Sequence, residues 1–188
     1  MATIISKRAT VDDLLRTEGK AELIGGRIVH LMPTGRIPNN VAGRIYRSLD
    51  DYAEASGQGE AYTDNISFTI PELPSGRELF SPDASCFRGP YPTTPMKFIE
   101  RPPTLAVEVR SENDYGPAAG LAMAEKRGDC FAAGTLVVWD VVPVAELIHV
   151  DRATDPSQPA TCARGQTAEA EPAVPGWQVG VDGLFGTG

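Results

Sequence analysis

Two acidic residues of this sequence stand where a carboxylate can do chemistry. Asp83 follows Pro82 at the start of one predicted strand, and Glu108 lies in an otherwise apolar strand predicted over residues 105–111. A carboxylate on a buried strand is costly unless it is paired, hydrogen-bonded or bound to a metal ion. We therefore expect Glu108 to have a partner, and Asp83 is the best candidate close to it in the sequence.

Two carboxylates from neighbouring strands can hold a hard divalent cation. Mg²⁺ favours one or two protein carboxylates together with waters and a phosphate oxygen, so the pair is typical of phosphodiester hydrolysis. The same residues are also compatible with a turn aspartate and a salt-bridged strand glutamate that carry no chemistry. Asp83 and Glu108 alone leave both interpretations open.

Four stretches of the chain, taken in order, favour the first interpretation. They are residues 21–29 (AELIGGRIV), 81–83 (SPD), 107–111 (VEVRS) and 126–139 (KRGDCFAAGTLVVW). Together they resemble the Uma2 family of endonucleases, a branch of the PD-(D/E)xK superfamily, and the resemblance covers most of the chain. It implies a single domain over residues 1–188 with an α/β restriction endonuclease-like fold, in which helices flank a mixed central β-sheet.

The resemblance also implies a metal site. Asp83 and Glu108 would hold Mg²⁺ or Mn²⁺, and the main-chain carbonyl of Val109 would be a further ligand. Glu22, which begins a predicted hairpin, would support the ion or its water. Taken from the residues alone, Glu22 is equally compatible with an exposed strand position.

The cation that completes such a site is displaced in this sequence. The superfamily has a lysine two residues after the glutamate, where this chain has Arg110. Arginine cannot give up a proton, so it is a poor general base. In this family the lysine lies on the following helix, at the position of Lys126. Lys126 would orient or help deprotonate the attacking water, for which its pKa must be lowered, while Arg110 and Ser111 would contact the substrate.

The implied activity is metal-dependent hydrolysis of DNA phosphodiester bonds. One such site cuts one strand, so double-strand cleavage predicts a homodimer with two sites. The competing hypothesis is a catalytically inactive module that keeps the nuclease fold for protein or nucleic-acid binding. It rests on two departures from the family: Asn39 and Asn40 stand where a histidine is common, and Cys130 replaces a tyrosine.

The composition bounds the remaining possibilities. A chain of 188 residues that is 41% hydrophobic is long enough for one domain with a full core. No apolar run is long enough to span a membrane and no apolar signal region is present, so we expect a cytoplasmic protein. The three cysteines are widely spaced and suit a reducing compartment. The net charge of -8 argues against a general nucleic-acid binder.

Turn and capping residues predict where the first elements begin. Thr10 should cap a short helix, because its side chain can accept a hydrogen bond from the first turn. Gly25 and Gly26 should form a hairpin turn, which requires positive φ. Asn39 or Asn40 should cap the next helix.

The second half of the chain predicts a parallel crossover. A strand carrying Glu108, a helix ending at Gly134 and a buried strand over residues 136–142 follow one another, which is typical of a strand-helix-strand unit. Residues 152–175 are rich in Ala, Thr, Gln and Pro, so we expect an irregular excursion there. A last short strand is predicted over residues 177–181.

Overall fold

The structure, a computed structural model, describes residues 8–91 and 94–186 of the chain. The helices within these residues are α1 (Val11–Leu15), α2 (Arg36–Ser56), α3 (Pro117–Ala133) and α4 (Val181–Phe185). The strands are β1 (Ala21–Ile24), β2 (Arg27–His30), β3 (Glu60–Thr63), β4 (Phe68–Thr69), β5 (Leu79–Phe80), β6 (Ala84–Phe87), β7 (Leu105–Val109), β8 (Val137–Val142), β9 (Leu147–Arg152), β10 (Asp155–Ala163), β11 (Thr167–Glu169) and β12 (Gln178–Gly180). No helix in this part of the chain is both long and apolar enough to cross a membrane.

Six of these strands form the central sheet, in the order β10-β9-β8-β7-β6-β3. β7 and β8 are parallel, whereas all other neighbours in this sheet are antiparallel. α3 connects β7 to β8, because a chain that continues into a parallel neighbour must first return to the same end of the sheet. The predicted α/β fold with a mixed central sheet is therefore confirmed.

α2 covers one face of the sheet with an apolar stripe. Its buried residues Val41, Ile45, Leu49 and Ala53 recur every four positions, so they lie on one side of the helix. They belong to the same buried cluster as Val107 on β7 and the inward-facing apolar residues of β8 and β9. This cluster is the main core of the molecule.

The predicted caps and turns at three positions are confirmed. Thr10 and Asp13 form a capping box at the start of α1. Gly25 and Gly26 join β1 to β2 with φ of 58° and 68°, a backbone region that glycine adopts without steric cost. α3 ends with Gly134 in the left-handed conformation.

The start of α2 differs from the sequence prediction. The helix begins at Arg36, after the N-cap residue Gly35, so neither Asn39 nor Asn40 caps it. Pro38 consequently lies in the first helical turn, where its missing N–H is not needed for an intrahelical hydrogen bond. The prediction was wrong because it relied on the preference of asparagine for the N-cap, whereas Gly35 takes that position here without a side-chain cap.

The chain after residue 152 is more regular than predicted. Instead of an irregular excursion it contains β10, which pairs with β9, and β11, which pairs with β12. β10 is almost entirely exposed, so it lacks the alternation of apolar and polar residues that signals a strand. The predicted last strand is shorter than expected, since Val181 opens α4.

Candidate active site

Asp83 and Glu108 lie at the junction of two neighbouring strands. Asp83 directly precedes β6 and Glu108 lies on β7, and in the antiparallel pairing of these strands Ala84 is opposite Val107. The main-chain N–H of Asp83 donates to the Val107 carbonyl at 2.9 Å. Its side-chain Oδ2 accepts from the N–H of Val109 at 2.8 Å. The structure thus brings together the three groups that the sequence predicted as metal ligands.

Glu108 is buried and has only one of its carboxylate oxygens engaged. Its side chain is 10% exposed, and Oε2 accepts from Lys126 Nζ at 2.8 Å. Its Oε1 is buried and has no hydrogen-bond partner among the residues that the structure describes. A buried polar atom without a partner is costly. Oε1 therefore has a lone pair available for a cation.

Lys126 connects Glu108 to Glu22. It projects from α3, and its Nζ lies 3.2 Å from Glu22 Oε1 as well as 2.8 Å from Glu108 Oε2. Glu22, on β1, is buried, and its Oε1 also accepts from the N–H of Ser81 at 3.3 Å. Glu22 and Glu108, two predicted residues far apart in the sequence, are therefore joined through one ammonium group.

Arg77 holds Glu22 from the other side. Its guanidinium pairs with Glu22 through Nη1, and its Nε donates to Asp129 Oδ2 at 3.0 Å. Asp129 lies three residues after Lys126 on α3, so both side chains project from the same side of that helix. This buried ion-pair cluster fixes the orientation of Glu22 and of Lys126.

Lys20 and Arg77 are functional candidates that the sequence reasoning missed. Lys20 Nζ lies 3.0 Å from Asp83 Oδ1, so the second predicted metal ligand is also paired with a lysine. Lys20 precedes a predicted hairpin and Arg77 ends a turn-rich loop, and neither position has a local signal that distinguishes it from a surface cation. The i,i+3 spacing of Lys126 and Asp129 indicates only that these two charged residues lie on the same side of a helix.

Arg110 and Ser111 are held by other residues of the chain. Arg110 donates from Nε and Nη2 to the two oxygens of Asp140, at 2.7 and 2.6 Å. Ser111 donates from its N–H and its hydroxyl to Asp114 Oδ2, at 2.7 and 2.6 Å. Ser111 lines the cleft described below and Arg110 does not. A substrate contact by either residue stays a prediction.

An open cleft of about 440 Å³ gives access to the charged residues. It is lined by Lys20, Glu22, Asp83, Glu108 and Lys126, among others. A smaller pocket of about 130 Å³ beneath the start of α2 shares Asp83 and Val109 with it. The site is thus reachable from solvent, although its individual carboxylates are largely buried.

Burial and charge together set the protonation of the site. Burial raises the pKa of Glu108 to about 7, an effect that Lys126 opposes and that Asp83 and Glu22 reinforce. Burial also acts to raise the pKa of Glu22, but Lys126 and Arg77 outweigh it, so the pKa of Glu22 is lowered.

Without a bound metal ion, the pKa of Lys126 is set by its burial and by the two neighbouring carboxylates. Burial lowers it, but the charges of Glu108 and Glu22 act in the opposite direction and prevail, so the pKa of Lys126 is raised. A lysine with a raised pKa remains an ammonium ion at neutral pH. In this arrangement Lys126 acts as a hydrogen-bond donor and a fixed positive charge, and not as a proton acceptor.

The donor set fits a hard divalent cation with few protein ligands. Within residues 8–91 and 94–186, no group of three or more His, Cys, Asp or Glu side chains is arranged to hold a metal ion. Two carboxylates, with a main-chain carbonyl and waters, are the kind of ligand set that Mg²⁺ takes. The partnerless Oε1 of Glu108 and the adjacent Asp83 meet this requirement.

Comparison with known proteins defines the class of fold and then the family. The crystal structure of "a putative nuclease belonging to DUF820" from Anabaena variabilis is similar to this structure, with a TM-score of 0.73, 18% sequence identity, and coverage of 94% of this chain and 97% of that one. The family model "Uma2: Putative restriction endonuclease" matches residues 9–182. The chain therefore belongs to the Uma2 family. The comparison with curated proteins found no match.

Proposed function

We propose that this chain is a metal-dependent endonuclease that hydrolyses DNA phosphodiester bonds. Asp83, Glu108 and the carbonyl of Val109 would hold Mg²⁺ or Mn²⁺ at the floor of the cleft. The observation that carries the proposal is the buried Glu108, which has one oxygen on the Lys126 ammonium and the other without a partner. When bound, the ion would polarise the phosphate and activate water near neutral pH.

Lys126 has the position and the charge to stabilise the transition state. Its ammonium group is fixed by Glu22 and Glu108 and donates hydrogen bonds without needing to lose a proton. A preorganised positive charge in a partly buried site is strongly stabilising where negative charge develops on a phosphate. Glu22, itself held by Arg77, is a positioning residue for this ammonium.

The charge balance of the cluster supports an anionic substrate. Glu22, Asp83, Glu108 and Asp129 are ion-paired with Arg77, Lys20 and Lys126, so the carboxylates of the free cluster exceed its cations by one. A divalent ion adds two positive charges, which a phosphodiester and the further negative charge of its transition state would offset. The overall charge of -8 is therefore compatible with a local preference for phosphate.

We also propose a homodimer as the active assembly. A single site of this kind cuts one strand, and a two-fold dimer is the simplest way to present two sites to a duplex. Sedimentation velocity at micromolar concentration should show the dimer. A protein that remains monomeric under these conditions, with or without DNA, would contradict this part of the proposal.

A catalytically inactive binding module is the second candidate. It is favoured by the pairing of both proposed ligand carboxylates with lysines, since a metal ion must compete with these internal cations. The two candidates differ in one measurable respect: the inactive module would bind a partner without any metal-dependent cleavage.

The decisive experiment is a nicking assay on supercoiled plasmid with Mg²⁺ or Mn²⁺, repeated with an RNA substrate. Lys126→Met should reduce cleavage at least about 100-fold, because a preorganised charge in the transition state is worth about that much. The same variant should keep its metal-induced rise in melting temperature, since carboxylates hold the ion. The double variant D83N/E108Q should lose both properties.

Glu125→Gln provides a matched control, because Glu125 is an exposed carboxylate next to Lys126 on α3. It should cleave and respond to metal as the wild type does. A metal response that persists in D83N/E108Q would contradict the proposed ligands. Cleavage by Lys126→Met at the wild-type rate would contradict the role of the lysine.

A further inference from the structure

Lys20 forms an ion pair with Asp83, one of the two carboxylates proposed to bind the metal ion. Its Nζ lies 3.0 Å from Asp83 Oδ1, while Oδ2 of the same carboxylate accepts from the Val109 N–H. Both oxygens of Asp83 are therefore engaged by groups of the protein itself. Lys20 also lines the cleft, so its ammonium group faces the space that the substrate would enter.

The two lysines of the site are held in different ways. Lys126 projects from the middle of α3 and contacts two carboxylates, those of Glu22 and Glu108. Lys20 lies just before β1, and Asp83 is the one carboxylate within 4.0 Å of its Nζ among the described residues. Its main chain is fixed by a hydrogen bond from the Leu31 N–H to its carbonyl at 2.9 Å. The long side chain is thus free to exchange partners on a backbone that stays in place.

A divalent cation and an ammonium group cannot both be close to Asp83 without mutual repulsion. Both side chains are partly buried, with 19% of Lys20 and 27% of Asp83 exposed, so this repulsion is stronger than it would be at the surface. A cation that takes Asp83 therefore weakens the hold of this carboxylate on Lys20. The released ammonium remains at the wall of the cleft, within reach of an anionic ligand.

We propose that Lys20 competes with the divalent cation for Asp83 and, once displaced, binds a phosphate of the nucleic-acid strand. This inference rests on the proposed function, because it takes Asp83 as a metal ligand. Lys20 thereby lowers the affinity of the free protein for metal and raises the affinity of the metal-bound protein for nucleic acid. Metal and substrate binding become coupled through one side chain.

The first test measures metal affinity in the full-length chain by titrating Mg²⁺ or Mn²⁺ in calorimetry and in a thermal-shift assay. Lys20→Met should bind the ion about tenfold more tightly than the wild type, because a repelling charge is removed. Lys20→Arg keeps the charge and should bind as the wild type does. Lys97→Met removes an exposed lysine that does not line the cleft and is the matched control, with wild-type affinity expected.

The second test measures binding to a short DNA duplex with Ca²⁺ in place of Mg²⁺. Lys20→Met should bind about tenfold more weakly, and the slope of log affinity against log salt should decrease by about one, as for the loss of one phosphate contact. Lys20→Arg should restore both quantities. Substitution of a residue with only a structural role would leave the slope of log affinity against log salt unchanged.

The outcomes separate this inference from the proposed function. If the wild type binds metal and D83N does not, but Lys20→Met binds metal with the affinity of Lys97→Met, the competition is disproved and the metal site stands. If neither the wild type nor Lys20→Met binds metal, the metal site and the inference fall together. If Lys20→Met loses stability, Lys20→Gln replaces it under the same expectations. Unchanged DNA binding in a variant with raised metal affinity would disprove the phosphate contact.

Discussion

The two faces of the central sheet are built on different physical principles. The face under α2 is apolar, with Leu49 and its neighbours packed on the inward side chains of β7, β8 and β9. The face under α3 carries three buried carboxylates, Glu108, Asp140 and Asp151. The strand register places Glu108 opposite Asp140, and Asp151 opposite a residue two positions before Asp140, so all three share this face.

α3 contacts its face of the sheet partly through charge, beside an apolar cluster in which Cys130 packs with Ala106 and Val138. Lys126 pairs with Glu108, Arg127 with Asp151, and Asp129 with Arg77, whereas Cys130 is the one fully buried residue of this helix. Buried ion pairs contribute little net stability, because desolvation offsets their attraction. Apolar packing therefore stabilises the fold on both faces, and the α3 face in addition holds reactive groups at a cost in stability.

The largest effect is expected from breaking the charged face at Arg77. Arg77→Met would leave Glu22 and Asp129 without their shared cation, and removal of one partner of a buried pair costs about 3 to 5 kcal/mol. Urea denaturation should show this loss in the free energy of unfolding. The double variant R77M/E22Q should recover part of it, because it no longer buries a carboxylate that Lys126 alone must neutralise together with Glu108. A cost below about 1 kcal/mol would mean that water replaces the arginine, as at an exposed pair.

The next largest effect is expected on the apolar face. Leu49 is fully buried against the sheet, so Leu49→Ala should lower the free energy of unfolding by about 2 to 5 kcal/mol through lost burial and the cavity left behind. Leu121 on α3 is 67% exposed, and Leu121→Ala is the matched control, with a change of at most about 0.5 kcal/mol. Similar costs for the two variants would show that α3 is packed by apolar contact after all.

This contrast also explains how much the sequence could predict. The apolar stripe of α2 and the strand of Glu108 follow from periodicity, because burial repeats with the period of the element. The partners of the charged face come from distant parts of the chain: Lys20 and Asp83 are 63 residues apart, and Arg77 and Asp129 are 52 apart. No local pattern specifies such pairs, so the resemblance to a family could name Lys126 but not Lys20 or Arg77.

A smaller effect, from the raised pKa of Glu108, should appear in the pH dependence of stability without metal. The pKa of Glu108 is raised from 4.5 to about 7, so the folded state binds this proton more tightly than the unfolded state does. The free energy of unfolding should therefore fall by about 2 to 3 kcal/mol as the pH rises from 4.5 through 7. Denaturation in the presence of a chelator should show this slope in the wild type and its loss in Glu108→Gln.

Glu22 titrates in a different window and provides the internal check on that slope. Its pKa is lowered, so the stability that it contributes is present above 4.5 and is lost as the pH falls through its folded pKa below that value. The two carboxylates therefore act on opposite sides of pH 4.5. Burial also raises the pKa of Asp151, which adds a slope in the same direction. An undiminished slope between pH 4.5 and 7 in Glu108→Gln would show that the assignment to Glu108 is wrong.

The smallest effect is expected at Arg110, next to the site on the charged face. Its guanidinium holds both oxygens of Asp140, which a lysine can match with only one bond at a time. Arg110→Lys should therefore lower the free energy of unfolding by about 1 kcal/mol, measured in urea. The double variant R110K/K126M tests whether the lysine introduced at position 110 can replace Lys126 as the cation next to Glu108. Glu108 lies two positions earlier, on β7. Because Asp140 retains the ammonium, we expect no cleavage by the double variant, and restored nicking would show that the cation of this site can act from the strand as well as from the helix.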